Sequence, residues 1–126
     1  DLHSFPTRRS SDLSRLDGTY RTVVISSDYT NRPKAIAVYP AKGLLFWTDY
    51  DLNTHRPRIH RSAMDGSDHQ IYPLHAGEEG AGISIDYEED KVYYVQDSLD
   101  AMWRMDLDGG KNLLFFFHLW FRKWRR

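Results

Sequence analysis

Four histidines, His55, His60, His69 and His75, fall within one short stretch, and histidine is the side chain whose ordinary pKa lies between pH 5 and 8. Their chemistry would be proton uptake on mild acidification; the plainer reading is four solvated loop histidines. From Glu78 to Asp108 ten acids (Glu78, Glu79, Asp86, Glu88, Glu89, Asp90, Asp97, Asp100, Asp106 and Asp108) stand against Lys91 and Arg104. Such a run would receive a Lys- or Arg-rich partner through charge complementarity, with steep salt dependence, although acidic turns between strands are ordinarily just solvated. There is no Gly-rich phosphate loop, no Gly-x-Ser-x-Gly elbow and no His-Glu-x-x-His. The absence of cysteine excludes a disulfide scaffold, a thiolate metal site and a thiol nucleophile. No catalytic residue and no metal ligand is therefore assigned, and the chain reads as a non-enzyme.

The scaffold for these side chains is an ordinary soluble composition: 126 residues, 40% hydrophobic, 28% charged, with a formal net charge of -1. That charge gives no push toward nucleic acid or an anionic membrane. Three parts differ. Residues 1–13 lack periodicity, are expected to be unstructured, and from Phe5 to Leu13 resemble one reading frame of a sequencing adapter. Residues 113–126, LLFFFHLWFRKWRR, form an apolar run closed by Arg122, Lys123, Arg125 and Arg126; it is too short to span a bilayer as a helix, and is read as a non-native tail rather than an interfacial anchor. Between them, residues 14–112 carry eleven Arg and Lys against sixteen Asp and Glu.

An internal repeat organises this middle part. Asp-Gly preceded by Leu or Met recurs as Leu16-Asp17-Gly18, Met64-Asp65-Gly66 and Leu107-Asp108-Gly109, at separations of 48 and 43 residues, which suit a propeller blade. AIAVYPAKGLLFWTDY, residues 35–50, answers GISIDYEEDKVYYVQD, residues 82–97, and the spacing Arg-x-x-x-Asp-Gly occurs at Arg61 and again at Arg104. Alternation of Ile36 and Val38, Leu45 and Trp47, Ile83 and Ile85, Val92 and Tyr94 marks strands with one face for the core. The spacing predicts an outer strand near 20–26, a full blade with strands near 35–39, 44–50, 57–63 and 69–74, and a third blade with strands near 81–86, 91–97 and 101–106. Its outermost strand falls where the apolar tail begins. Asp17-Gly18 and Asp65-Gly66 are the dipeptide favoured in two-residue hairpins, and Lys42-Gly43 acts likewise. In the third blade Tyr87-Glu88-Glu89-Asp90 suggests a turn longer by about a residue.

RPKAIAVYPAKGLLFWTDY (residues 32–50) and RIHRSAMDG (residues 58–66), with the degenerate GISIDYEEDKVYYVQD and WRMDLDGG (residues 103–110), resemble the YWTD, or class B, repeat of the low-density lipoprotein receptor family. The resemblance implies an all-β, six-bladed β-propeller, of which this chain holds about two to two and a half four-stranded antiparallel blades. Phe46, Trp47, Thr48 and Asp49 match the motif; Tyr93, Tyr94, Val95 and Gln96 replace it in the next blade, the Asp being lost to Gln96 or displaced to Asp97. By position, Asp49, Arg61 and Arg104 are the candidates for tying blades together, with Asp65, Gly66, Asp108 and Gly109 as the repeated turn residues. Aromatics packed between blades in a full ring, such as Phe46, Trp47, Tyr93, Tyr94 and Trp103, are expected to be partly bare in so short a piece.

The family resemblance further implies the extracellular part of a single-pass endocytic receptor at the cell surface and in endosomes, acting as a non-catalytic binding and spacing module in ligand binding, uptake and pH-dependent release. Its partners would be protein ligands or neighbouring receptor modules, EGF-like modules and a folding chaperone, with membrane attachment only through a span outside this sequence. Calcium is expected only in flanking modules, and no cofactor in this stretch. His55, His60, His69 and His75 become candidates for pH-dependent docking of another module. A Wnt-type signalling co-receptor or a matrix protein with the same repeats is the alternative, and a calcium-dependent propeller hydrolase a remote one.

Overall fold

The computed structural model describes residues 11–13, 17–19, 21–74, 80–96 and 101–117. All the regular elements among them are strands, apart from one 3₁₀ turn at Pro40–Lys42. They form three antiparallel sheets, each a simple meander. β1 (Ser11–Leu13) and β2 (Thr22–Ile25) pair as part of a first blade. β3 (Ile36–Tyr39), β4 (Leu44–Asp51), β5 (Arg56–Ala63) and β6 (Gln70–Pro73) make a complete second blade. β7 (Gly80–Asp86), β8 (Lys91–Gln96), β9 (Ala101–Asp106) and β10 (Leu113–Phe117) make a third.

The strand positions follow the repeat, with four corrections. Leu113–Phe117, read as the start of a non-native tail, forms β10 against β9 as the outer strand of the third blade; residues 118–126 lie outside the described residues. Ser11–Leu13, expected to be unstructured, pairs with β2, because β2 offers it an unpaired edge; residues 1–10 lie outside the described residues. The β7–β8 turn is no longer than its counterpart: Tyr39 pairs with Leu44 and Asp86 with Lys91, leaving four residues in each connection. Asp90 (φ 54°) takes the left-handed conformation that Gly43 (φ 63°) takes in the other, which Asp tolerates through its short side chain. Asp65-Gly66 does not make a two-residue hairpin, since β5 ends at Ala63 and β6 starts at Gln70. In that longer connection Asp65 Oδ1 accepts the Ser67 N–H at 2.9 Å, and Ala63 N–H donates to Ser67 O at 2.8 Å. The β9–β10 connection repeats it: Asp108 Oδ1 accepts the Gly110 N–H at 2.9 Å and Asp106 N–H donates to Gly110 O at 2.8 Å.

β4 shows how alternation builds the stack of blades. Leu45 and Trp47 point toward the first blade, where they pack with Ile25 and, at the margin, Val24, Val38 and Met64. Phe46 points the other way, into a larger cluster with Ile59, Leu74, Val92, Tyr94 and Met105 that joins the second blade to the third. Burying a side chain of this size contributes about 1.5–3 kcal/mol, so this cluster dominates the cohesion of the described residues. Phe46, Trp47 and Tyr94 are at most 1% exposed, which corrects the expectation that they would be partly bare: two adjoining blades suffice to cover them. Tyr93 and Trp103 are half-buried.

Candidate functional site

The motif residues act on both neighbouring blades in turn. Thr48, on the same face as Phe46, accepts the Ala35 N–H at its Oγ1 (3.1 Å), and its methyl lies where a Cβ on Gly80 of the third blade would come within 2.8 Å. Trp47 donates from Nε1 to Thr30 Oγ1 at 3.3 Å, and Thr30 belongs to the segment that carries the chain from the first blade to the second. Asp49 grips that same segment. Its Oδ1 accepts the Arg32 N–H at 2.6 Å and the Asn31 N–H at 3.1 Å.

The cation facing Asp49 is Arg58, not Arg61 or Arg104. Arg58 Nε and Nη2 both lie 2.8 Å from Asp49 Oδ2, and Arg58 Nη2 also donates to Tyr29 O at 3.4 Å. Sequence reasoning missed Arg58, although the hairpin contains the signal: Asp51 pairs with Arg56, so counting back from the turn sets Asp49 opposite Arg58. Arg61 points to the other face and donates from Nη1 to Leu107 O of the third blade at 2.8 Å, a tie between blades. Arg104 stands on β9 opposite Tyr93 and helps hold the Asp106 carboxyl down, after the larger effect of Lys91.

His60 lies mid-strand in β5, fully buried, rather than at a solvated strand end. Its Nε2 is 3.0 Å from Asp49 Oδ2 and its Nδ1 is 2.6 Å from His69 Nε2. The two imidazole centroids are 4.9 Å apart with planes 14° apart, so at that nitrogen separation the rings meet edge to edge and nearly coplanar. Trp47 covers both, lying 4.9 Å from His60 and 5.6 Å from His69 in near-parallel planes. Tyr29 closes the far side with its ring edge-on to His69 at 5.4 Å. His55 is exposed in the β4–β5 turn with φ 55°, apart from this pair, and His75 lies outside the described residues.

The electrostatics follow from these partners. Burial alone would raise Asp49, but His60, the Arg32 N–H, Arg58 and the Asn31 N–H outweigh it and hold the carboxyl well below the usual carboxylate range. Burial pushes His60 below its ordinary value against the pull of Asp49. His69 is lowered by burial, then by His60 and Arg58. With a carboxylate opposite Nε2, His60 carries its proton there and accepts at Nδ1 from the His69 N–H. The two nitrogens aim at one another with no space for an ion between them, and among the described residues no group of His, Asp and Glu converges to hold a metal.

The same positions in the third blade are built differently. By register, Gln96 stands where Asp49 stands, and Asp97 lies outside the described residues. Ala101 then replaces Arg58 and Trp103 replaces His60. Tyr94 donates to Asn112 Oδ1 at 2.7 Å, and Tyr94 and Trp103 lie parallel at 6.4 Å. Gln96 is 1% exposed, and its Nε2 has no hydrogen-bond partner among the described residues. The Asp-Gly turns also touch neighbouring blades: a Cβ on Gly66 would collide with Val24 O, and one on Gly109 would come within 2.5 Å of the Tyr72 ring. Near the β3–β4 and β7–β8 turns, Tyr39 donates to Asp90 Oδ1 at 2.6 Å, Tyr87 donates to Val38 O at 2.6 Å, and Lys42 pairs with Asp90 at 3.1 Å. Several acids of the acidic run are engaged locally: Asp86 accepts the Glu88 N–H, and Asp106 pairs with Lys91.

Meandering four-stranded sheets that stack face to face through Trp, Asp and repeated Asp-Gly turns define a β-propeller of the YWTD type. A chain in the crystal structure of the nidogen/laminin complex superposes with a TM-score of 0.73 at 23% identity, over 82% of this chain and 38% of that one. The sequence is 34% identical over 79 residues to the vitellogenin receptor Yl of Drosophila melanogaster, and 31% identical over 93 residues to the vitellogenin receptor of Solenopsis invicta. These matches take in 63% and 74% of this chain but only 4% and 5% of the receptors, so the chain spans about a twentieth of their length. No family model matches the sequence. The chain is a run of YWTD repeats of the low-density lipoprotein receptor family.

Proposed function

We propose that the chain is part of the extracellular propeller of an endocytic receptor for a yolk protein of the vitellogenin class. The observation that carries this reading is the match to two vitellogenin receptors across the blades described above. The propeller acts by holding neighbouring modules and protein ligand in register, not by chemistry: Asp49, His60 and Arg58 are spent on one another and on backbone N–H groups. EGF-like modules, calcium-binding cysteine-rich modules and a folding chaperone belong to the whole receptor, as do the membrane span and passage through endosomes. Among the described residues no helix is long and apolar enough to cross a membrane.

The test is uptake of fluorescent vitellogenin by cells displaying the receptor that contains these repeats, with and without this propeller. Surface-displayed receptor lacking it is expected to bind ligand at pH 7.4 and to retain it at pH 5.5, where the intact receptor lets go. Equal release from both would refute a role in acid release, and failure of the intact receptor to take up vitellogenin would refute the ligand class.

A further inference from the structure

Both joints hold an apolar cluster and cross-blade hydrogen bonds, but among the described residues only the joint between the first and second blades also holds buried histidines. On the second blade's face toward the first, Asp49, Arg58, His60 and His69 form one connected polar array around Trp47. The third blade meets the second with Val92, Tyr94 and Met105 against Phe46, Ile59 and Leu74. The polar array holds the connecting segment at several points: Asp49 accepts the N–H groups of Asn31 and Arg32, Arg58 reaches Tyr29 O, Trp47 reaches Thr30, and His69 meets the Tyr29 ring.

The proton count of the histidine pair is limited by geometry. At 2.6 Å between Nδ1 of His60 and Nε2 of His69, one nitrogen must donate and the other accept. A first added proton is accommodated, because the ring that stays neutral shifts its remaining proton to the outer nitrogen and accepts. A second proton puts a donor on both sides of the contact and two positive rings edge to edge. The charged and titratable groups facing the pair among the described residues are Asp49 and Asp51 from β4, Arg58 from β5 and Tyr29 from the connecting segment. β2 and β6 contribute no Asp, Glu, Lys or Arg of their own. Asp49 is already matched by Arg58, so a doubly protonated pair leaves an excess of positive charge under Trp47.

We propose that this joint is an acid-sensitive latch, in which the His60–His69 pair keeps segment 29–32 closed while it holds at most one proton, and lets the segment open when both rings are protonated. The open joint binds more protons than the closed one, so opening is favoured as pH falls. The joint between the second and third blades holds no histidine among the described residues, so it is expected to lack this dependence. The latch is independent of which ligand the receptor carries.

Amide hydrogen exchange on the 126-residue chain, corrected for the intrinsic pH dependence of exchange, reads this directly. Between pH 7.5 and 5.5 the protection of the Asn31 and Arg32 amides is expected to fall about tenfold, the factor carried by one additional histidine proton with an ordinary pKa of about 6.5 in the open state. Protection of the β8 amides is expected to hold. In His69→Asn, protection at Asn31 and Arg32 should no longer change with pH. Because that variant changes a packed side chain, imidazole nitrogen NMR of the unsubstituted chain supplies a second reading, with a single proton entering the pair before segment 29–32 loosens. Equal loss of protection in both joints, a retained pH response in His69→Asn, or uptake of two protons without loss of protection would each overturn the latch.

Discussion

Gly109 sits against the ring of Tyr72 so closely that the space a Cβ would need is already taken by the preceding blade. The relationship recurs one repeat earlier between Gly66 and Val24, so the repeated glycine is a spacer between blades as well as a turn residue. Gly18 and Gly43 share the positive φ but have open space where a Cβ would go. Gly18→Ala and Gly43→Ala are expected to cost only the left-handed backbone penalty, about 1–2 kcal/mol. Gly66→Ala and Gly109→Ala should add an overpacking cost of about 1–3 kcal/mol. Urea unfolding of the four variants ranks them; equal costs would show that the neighbouring blade yields without resistance.

Asp49 and Arg58 should behave as a unit. Removing one partner leaves a buried charge uncompensated, at about 3–5 kcal/mol, whereas importing the neutral third-blade pair as Asp49→Gln with Arg58→Ala should cost less than the two single changes added together. A double-mutant cycle by denaturant unfolding measures that coupling, and additivity would mean that the ion pair is incidental.

Acid should weaken the fold before Asp49 titrates. His60 and His69 are held below their ordinary value, so their contribution is complete above about pH 6.5 and is lost progressively as pH falls below it. Asp49, lowered from 3.8, contributes in full above that value and loses its share only in stronger acid. Stability measured from pH 8 to 3 should therefore fall in two stages, and His60→Gln with His69→Asn should remove the first.

At alkaline pH two tyrosines should ionise late. The hydrogen bond to Asp90 pushes the Tyr39 hydroxyl up to about 12, and burial does the same for Tyr94. Raised in the folded state, these groups contribute below pH 10 and lose their contribution as pH climbs through 12. Absorbance at about 295 nm should show a late ionising step coincident with unfolding, and Tyr39→Phe and Tyr94→Phe should each diminish it.

Strand order and blade boundaries were legible because the repeat fixes them twice over, in spacing and in alternation. The joints were less legible. Arg61 could be picked out from its spacing to Asp65 and Gly66, but Arg58 is meaningful only once Asp49 is set opposite it across the hairpin. Nothing local separates His60, enclosed on one face of β5, from His55, which stands in water four residues after Asp51. The distinction depends on Trp47 from β4 and His69 from the connection just before β6. The Asp-Gly turns were recognisable as turns, while their second task depends on Val24 and Tyr72 from neighbouring blades.

The unlike joints give the chain a direction under mechanical load. Tension that draws the first blade away meets a small apolar cluster of Ile25, Leu45 and Trp47 and polar ties that water can replace one at a time, from Arg58 at Tyr29 O to Asp49 at Arg32. Tension between the second and third blades must break such ties as Arg61 to Leu107 O and Tyr39 to Asp90 and also bare the larger cluster of Phe46, Ile59, Val92, Tyr94 and Met105 together, which makes that seam the stronger of the two. Of these two joints the first is thus expected to yield before the second, with the second and third blades parting later.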